Sequence, residues 1–306
     1  MGGDHGTVLL TGGTSGIGRA AARKLAEREA TVIVTGRRRQ NGEAALQEIR
    51  DAHPNDEGAF YQVDFADLDA VRQLALDIKT DYDRLDVLVN NAGTGQARRT
   101  LTDDGIELTF AVNYVAPFLL TNLLVPRLRE SDPARVLNTV TVAQHGAFAD
   151  MRSADLSDLD AVATGAYEPY DLDHAYLNSK LALHVFTYEL ADRLAETDVT
   201  VACFHPGWIG TSDITRNASL PTTILFRLAG LVAHVAPVGQ LETRTGAADV
   251  LVHHALDQPL PDDEGAYFDR EARADPDPRA TDEERRAHLW EYSADLVGLA
   301  EPITTS

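Results

Sequence analysis

The chain has 306 residues, 44% of them apolar, and 48 acidic against 27 basic side chains give it a net charge of −21. This length is enough for one large core, and the acid excess argues against nucleic acid or an anionic membrane surface as partner. The lone Cys203 rules out an intrachain disulfide and suits a reducing interior.

The start, Met1 to Gly6, has no basic region followed by an apolar run, so a cleaved signal is not expected. Gly6 stands where a lipidation signal needs Ser or Thr. A cytoplasmic protein is the resulting expectation. Acidic residues are spread throughout, and Lys24, Lys79 and Lys180 are the only lysines. That balance resembles proteins of salt-accumulating halophiles, in which salt screens self-repulsion.

In chain order, Thr7 to Leu10 is a short apolar run. It ends in Thr11-Gly12-Gly13-Thr14-Ser15-Gly16-Ile17-Gly18, and a helical pattern continues through Ala20, Ala21, Leu25 and Ala26. Thr31 to Val34 reads as a second strand and Asn41 to Arg50 as a second helix. Ala59 to Val63, Leu68 to Ile78 and Leu85 to Val89 read as strand, helix and strand. A long helix is expected from Asp103 to about Arg129, and a strand from Arg135 to Thr141. Asp150 to Asp173 is acidic and irregular; a helix carrying Tyr176 then runs to about Leu194, and Val199 to Phe204 is a strand. Thr211 to Arg244 is apolar but interrupted, Ala266 to Phe268 is a late strand, and an acidic helical tail follows.

Nearly all-apolar strands alternating with helices imply a doubly wound parallel sheet covered on both faces. One domain spanning 1–306 is expected, with a small substrate lobe at 211–244. The stretch Pro221 to Pro237 contains Arg227 and His234 and is too short for the ~20 apolar residues of a membrane span, so it reads as a packed lid helix.

The glycine-rich turn lies between the first strand and the first helix. Glycines there allow a tight bend and let backbone N–H groups approach a pyrophosphate. No lysine of the nucleotide triphosphatase type is present. The second strand ends Thr35-Gly36-Arg37-Arg38-Arg39. An acid that would accept from a ribose 2′-OH is missing at Gly36, and the Arg37 guanidinium suits a 2′-phosphate, so NADP(H) is expected over NAD(H). Tyr176 and Lys180 are one helical turn apart and share a face, where an ammonium favours phenolate and makes the tyrosine a usable proton donor and acceptor.

Thr11-Gly12-x-x-x-Gly16-x-Gly18, Asn90-Asn91-Ala92-Gly93, Asn113, Tyr176-x-x-x-Lys180 and His205-Pro206-Gly207-Trp208-Ile209-Gly210-Thr211 occur in this order. Over roughly Thr7 to Phe268 the chain resembles the short-chain dehydrogenase/reductase family. Around Ala175 to Leu183 it is similar to the retinol-dehydrogenase-like branch.

The resemblance implies hydride transfer between a nicotinamide and an alcohol or carbonyl carbon. Tyr176 would be the general acid/base. Lys180 would tune Tyr176 and hold the nicotinamide ribose, and Asn113 would anchor a water in a proton relay. Gly12, Thr14, Ser15, Gly16, Ile17, Gly18, Asn90, Ala92, Gly93, Pro206 and Gly207 would line the cofactor. Asp64 would meet the adenine, and Ile209 and Thr211 the nicotinamide amide. Thr141 stands where the family usually has serine, with Thr139 as a neighbouring candidate. No metal is expected.

An apolar lobe (Ile224, Leu225, Phe226, Leu231, Val232) hints at a hydrophobic small-molecule substrate, and the long helices around Asn113 and Tyr176 could pair with a second copy. Two alternatives stay open: a dinucleotide-binding regulatory protein of weak activity, and an NAD-dependent sugar epimerase or dehydratase.

Overall fold

Among the described residues, seven parallel strands and one short return strand lie side by side in a single sheet. A computed structural model describes residues 6–54, 57–141, 154–207, 242–257, 265–300 and 303. The strands are β1 (Thr7–Leu10), β2 (Thr31–Gly36), β3 (Phe60–Gln62), β4 (Val87–Asn90), β5 (Ala134–Thr139), β6 (Val199–His205), β7 (Ala266–Asp269) and β8 (Ala272–Arg273). Their order is β3-β2-β1-β4-β5-β6-β7-β8, parallel except for the final β7–β8 hairpin. The order reverses between β1 and β4, and in such sheets the crevice at that reversal is where ligands bind.

The helices are α1 (Gly16–Glu27), α2 (Arg39–Ala52), α3 (Leu68–Asp81), α4 (Leu108–Leu128), α5 (Leu159–Thr164), α6 (Leu172–Leu194), α7 (Arg244–Val252) and α8 (Glu283–Leu296). Alternation along each strand divides the core in two. Val8 and Leu10 pack with Ala21, Leu25 and Leu251 on the α1 and α7 side, and Leu9 packs with Leu74, Phe118 and Leu181 on the α3, α4 and α6 side. Burial on both faces accounts for apolar residues at consecutive positions, such as Val8, Leu9 and Leu10 or Val32, Ile33 and Val34.

α4 and α6 are apolar around most of their circumference, so both faces must be covered. α4 is long and apolar enough to cross a membrane, but 83% of its apolar window is buried inside this fold. Its outer face and that of α6 are covered by α8. Trp290 of α8 meets Phe118 edge-on at 5.1 Å and stacks on Phe186 at 5.8 Å, and the Arg193 guanidinium lies 4.1 Å from the Trp290 ring centre. Arg286 pairs with Asp192 at 2.8 Å beside this cluster.

Other boundaries differ from expectation. β5 ends at Thr139, which leaves Thr141 beyond the strand. α4 begins at Leu108 rather than Asp103, because Leu101 bridges to Glu107 and Glu107 caps the helix by accepting from the Phe110 N–H at 2.8 Å. The acidic stretch before Tyr176 contains α5, capped by Asp158. α7 was not expected. The lobe residues Ile224, Leu225, Phe226, Leu231 and Val232 and the apolar stretch from Pro221 to Pro237 lie outside the described residues.

Candidate active site

The turn after β1 is closed by contacts only glycine permits. Gly12 has a φ of +69°, and a Cβ there would come within 3.0 Å of the Ala92 Cα. A Cβ on Gly18 would lie 2.8 Å from Asn91 Nδ2, so α1 starts tightly against the β4 turn. Thr11 Oγ1 accepts from the Asn91 and Ala92 N–H groups at 2.9 and 3.0 Å, and Asn91 Nδ2 donates to the Thr11 carbonyl at 2.9 Å. The first and fourth βα turns are thus stitched together at the point where the sheet order reverses.

The sequence-predicted phosphate cradle has room for its ligand. Gly16 has a φ of +55° and nothing within 4 Å of where a Cβ would be, and Ser15 beside it is exposed. Ser15 makes no side-chain cap and the first turn of α1 holds no acid, whereas Asp67, Asp158, Asp171 and Asp282 cap α3, α5, α6 and α8. The uncapped N–H groups and helix dipole suit an anionic group. Thr14 is buried and Ile17 is partly buried at the same turn.

At the end of β2, a Cβ on Gly36 would overlap Thr14 Oγ1. Glycine is required there by packing. Arg37 and Arg38 are exposed, and neither pairs with another described residue, while Arg39 lies 3.8 Å from Glu43. Gln62 Nε2 fixes the local backbone by donating to the Arg37 carbonyl at 3.1 Å. α2 starts here without a side-chain cap and without an acid in its first turn. Asp64 is exposed after β3, where its carboxylate accepts from the Ala66 N–H at 3.1 Å and turns the chain toward α3.

Asn90 is buried at the end of β4 and donates through Nδ2 to Thr121 Oγ1 at 3.0 Å and Asn138 Oδ1 at 2.8 Å. Asn138 in turn donates to Thr187 at 3.0 Å, so β4, β5, α4 and α6 share one buried polar network. Near the start of α4, Ala111–Val115 forms a single π turn, a rare feature that gathers at functional sites. It carries Asn113, whose Nδ2 donates to the Thr94 carbonyl and Ser179 Oγ, each at 3.0 Å, and whose Oδ1 accepts from the Thr94 N–H at 2.7 Å. A Cβ on Gly93 would lie 3.5 Å from Asn113 Oδ1 and 3.9 Å from Lys180 Nζ. Three separately expected residues therefore meet at one point.

Lys180 Nζ donates to the Thr139 carbonyl at 2.6 Å, and burial lowers its pKa to about 8. Tyr176, one turn earlier on the same helix, is partly buried, and burial pushes its phenol upward. Burial thus acts against the lowered phenol expected from the sequence, and the ammonium is directed at the Thr139 carbonyl. Thr141 is buried just past β5, and Thr139 Oγ1 is buried with no hydrogen-bond partner among the described residues. Pro206 and Gly207 are buried after β6, Gly207 with a φ of +95°, while Ile209 and Thr211 lie outside the described residues. Among the described residues no group of three or more His, Cys, Asp or Glu is placed to hold a metal ion.

Comparison with known proteins agrees with this fold. Residues 6–153 match the short chain dehydrogenase family. Retinol dehydrogenase 13 of Mus musculus is 34% identical over 96% of this chain and 84% of its own length. Retinol dehydrogenase 12 of Bos taurus is 36% identical over 95% of this chain and 86% of its own. An uncharacterised protein of Mycobacterium paratuberculosis superposes with a TM-score of 0.68 at 29% identity, covering 95% of this chain and 93% of that one. L-sorbose reductase of Gluconobacter frateurii, solved with NADPH and L-sorbose, shares the fold at a TM-score of 0.66 and 21% identity, covering 89% of this chain and 97% of its own. With an α/β fold of this strand order and relatives matched over nearly their whole length, the chain belongs to the short-chain dehydrogenase/reductase family of oxidoreductases.

Proposed function

We propose that the chain is an NADP-preferring oxidoreductase that interconverts an apolar alcohol and its carbonyl compound. The meeting of Lys180, Asn113 and Gly93 at the β4 and β5 ends, one helical turn from Tyr176, carries this reading. A bound nicotinamide supplies or accepts the hydride. The Tyr176 phenol gives its proton to the carbonyl oxygen as the carbon is reduced, and takes one back in the reverse direction. The Thr141 hydroxyl donates to the same oxygen. Lys180 and Asn113 hold and resupply the proton on the side away from the substrate. The relatives named retinol dehydrogenases favour a long apolar alcohol or aldehyde. A cofactor-consumption assay with retinal, shorter aldehydes, ketones and the matching alcohols tests the reading; no turnover of any of them with either cofactor overturns it.

The pH dependence follows from Lys180. With its pKa lowered to about 8, the side chain is charged below that pH and neutral above it. Turnover that relies on the ammonium falls as pH rises through about 8. A kcat flat to pH 10 shows that the charge is not used.

NADP preference rests on Arg37 and Arg38 beside the uncapped start of α2. A charge-assisted bond to the 2′-phosphate corresponds to roughly tenfold to a hundredfold tighter binding of NADP than NAD. Arg37→Ala removes most of that ratio, and the ratio shrinks in multimolar salt. Equal affinities in the parent protein at low salt refute the preference. Gly36→Asp does not serve as a reversal, because a side chain there collides with Thr14.

The charge of −21 supports a further reading, that the protein works in a salt-rich cytoplasm. Thermal stability that rises steadily with KCl supports it, and stability indifferent to salt removes it.

A further inference from the structure

The π turn of α4 has two sides. Asn113 faces the site through Thr94 and Ser179, and Tyr114 faces the opposite way, toward α8. The Tyr114 ring packs on Phe110 at 5.1 Å, Phe118 at 6.2 Å and Phe186 at 6.4 Å. Its Oη lies 2.6 Å from Ser293 Oγ, and Ser293 Oγ donates to the Leu289 carbonyl at 2.7 Å. Because the serine proton is already committed to Leu289, the phenol is the donor in the first bond. The order is therefore Tyr114 hydroxyl to Ser293 hydroxyl to the α8 backbone.

Both side chains are fully buried. Packing does not require either hydroxyl. A phenylalanine would fill the ring position, and the rest of the α8 contact stripe is Leu289, Trp290 and Ala294. A polar pair inside an apolar contact fixes one relative placement of two elements, since any slip leaves a buried donor without an acceptor. Here one of those elements is a π turn, which lacks the regular i→i−4 ladder that would hold its own register. Asn113 is the adjacent residue.

We propose that Tyr114 and Ser293 are positioning residues: through them the C-terminal helix holds the π turn, and with it Asn113, in the geometry that catalysis uses. The proposal rests on the role given to Asn113 above. α8 then acts on turnover from the far side of α4 without touching substrate or cofactor.

The test compares Tyr114→Phe, Ser293→Ala, their double variant, Asn113→Ala and Trp290→Phe, reading kcat, cofactor Kd and Tm for each. Tyr114→Phe and Ser293→Ala each lower kcat by about three- to tenfold, the range of one net hydrogen bond, with cofactor Kd unchanged. The double variant loses no more than either alone, because both remove the same link. Trp290→Phe lowers Tm and leaves kcat alone, since it thins the packing of α8 and keeps the hydroxyl pair. Full kcat in the two hydroxyl variants beside a damaged Asn113→Ala overturns the positioning role. A kcat that tracks Tm across all variants also overturns it, because the pair is then structural only. A fully active Asn113→Ala instead removes the role of Asn113 on which the proposal stands.

Discussion

Tyr176→Phe lowers turnover by about 10²- to 10⁴-fold and leaves cofactor affinity within a few-fold of the parent. The substitution deletes one hydroxyl and keeps a ring that packs against the core beside α4 and α6. Burial pushes the phenol upward, so it is protonated at neutral pH and has a proton to give in carbonyl reduction. Phenylalanine has no proton to give. Cofactor titration by fluorescence, combined with single-turnover rates, separates binding from chemistry. A phenylalanine variant within a few-fold of the parent rate excludes Tyr176 as the proton donor.

Thr141→Val lowers turnover by about 10²- to 10³-fold, the scale of removing one donor to a developing oxyanion. Valine keeps the branched shape of threonine and so isolates the hydroxyl, whereas Thr141→Ser retains or raises activity by relaxing χ1. Thr139→Val is the informative companion. Val136 of β5 and Val140 just past it face α4 and α6, Leu137 faces α1 and α7, and alternation puts Thr139 with Leu137. Its hydroxyl is buried with no hydrogen-bond partner among the described residues. If valine at 139 abolishes activity and valine at 141 is silent, the donor is Thr139.

Much of this architecture is legible in the sequence for a simple reason. Strands buried on both faces are apolar at consecutive positions, and a glycine-rich turn between strand and helix has few other uses. β1, β2, β3 and β6 fall within about two residues of expectation on those grounds. The candidate residues of the cofactor turn and α6 stand out because each belongs to a motif with fixed spacing, whereas Asn113 on α4 stands out only through the family resemblance. The same signals fail in identifiable places. Asp103-Asp104-Gly105 looks like a helix start, but Gly105 takes a φ of +77° and the cap falls to Glu107. α5 has six residues, too few for a period to show, and its acids resemble a solvated loop. The π turn leaves no mark on the pattern of apolar residues, because Ala111 to Val115 is as buried as the α-helical turns after it. Gly36 could be seen as a missing acid; that Thr14 excludes any side chain there requires coordinates. The helical tail was visible as a helix, but its docking depends on Phe118 and Phe186, far away in the chain.

That docking also bears on how the protein is made. α8 follows every strand of the sheet in the chain, yet it covers the aromatic cluster of Tyr114, Phe118 and Phe186. Synthesis runs from the N-terminus at roughly 5–20 residues per second, and folding units form as they emerge. The growing chain can therefore assemble its parallel sheet while three large rings still lie open to water and to other nascent chains. Those rings are covered late, when Trp290 arrives. Shortening or fusing the chain near α8 should then be felt first in the yield of dispersed protein during expression, before any change in catalysis can be measured.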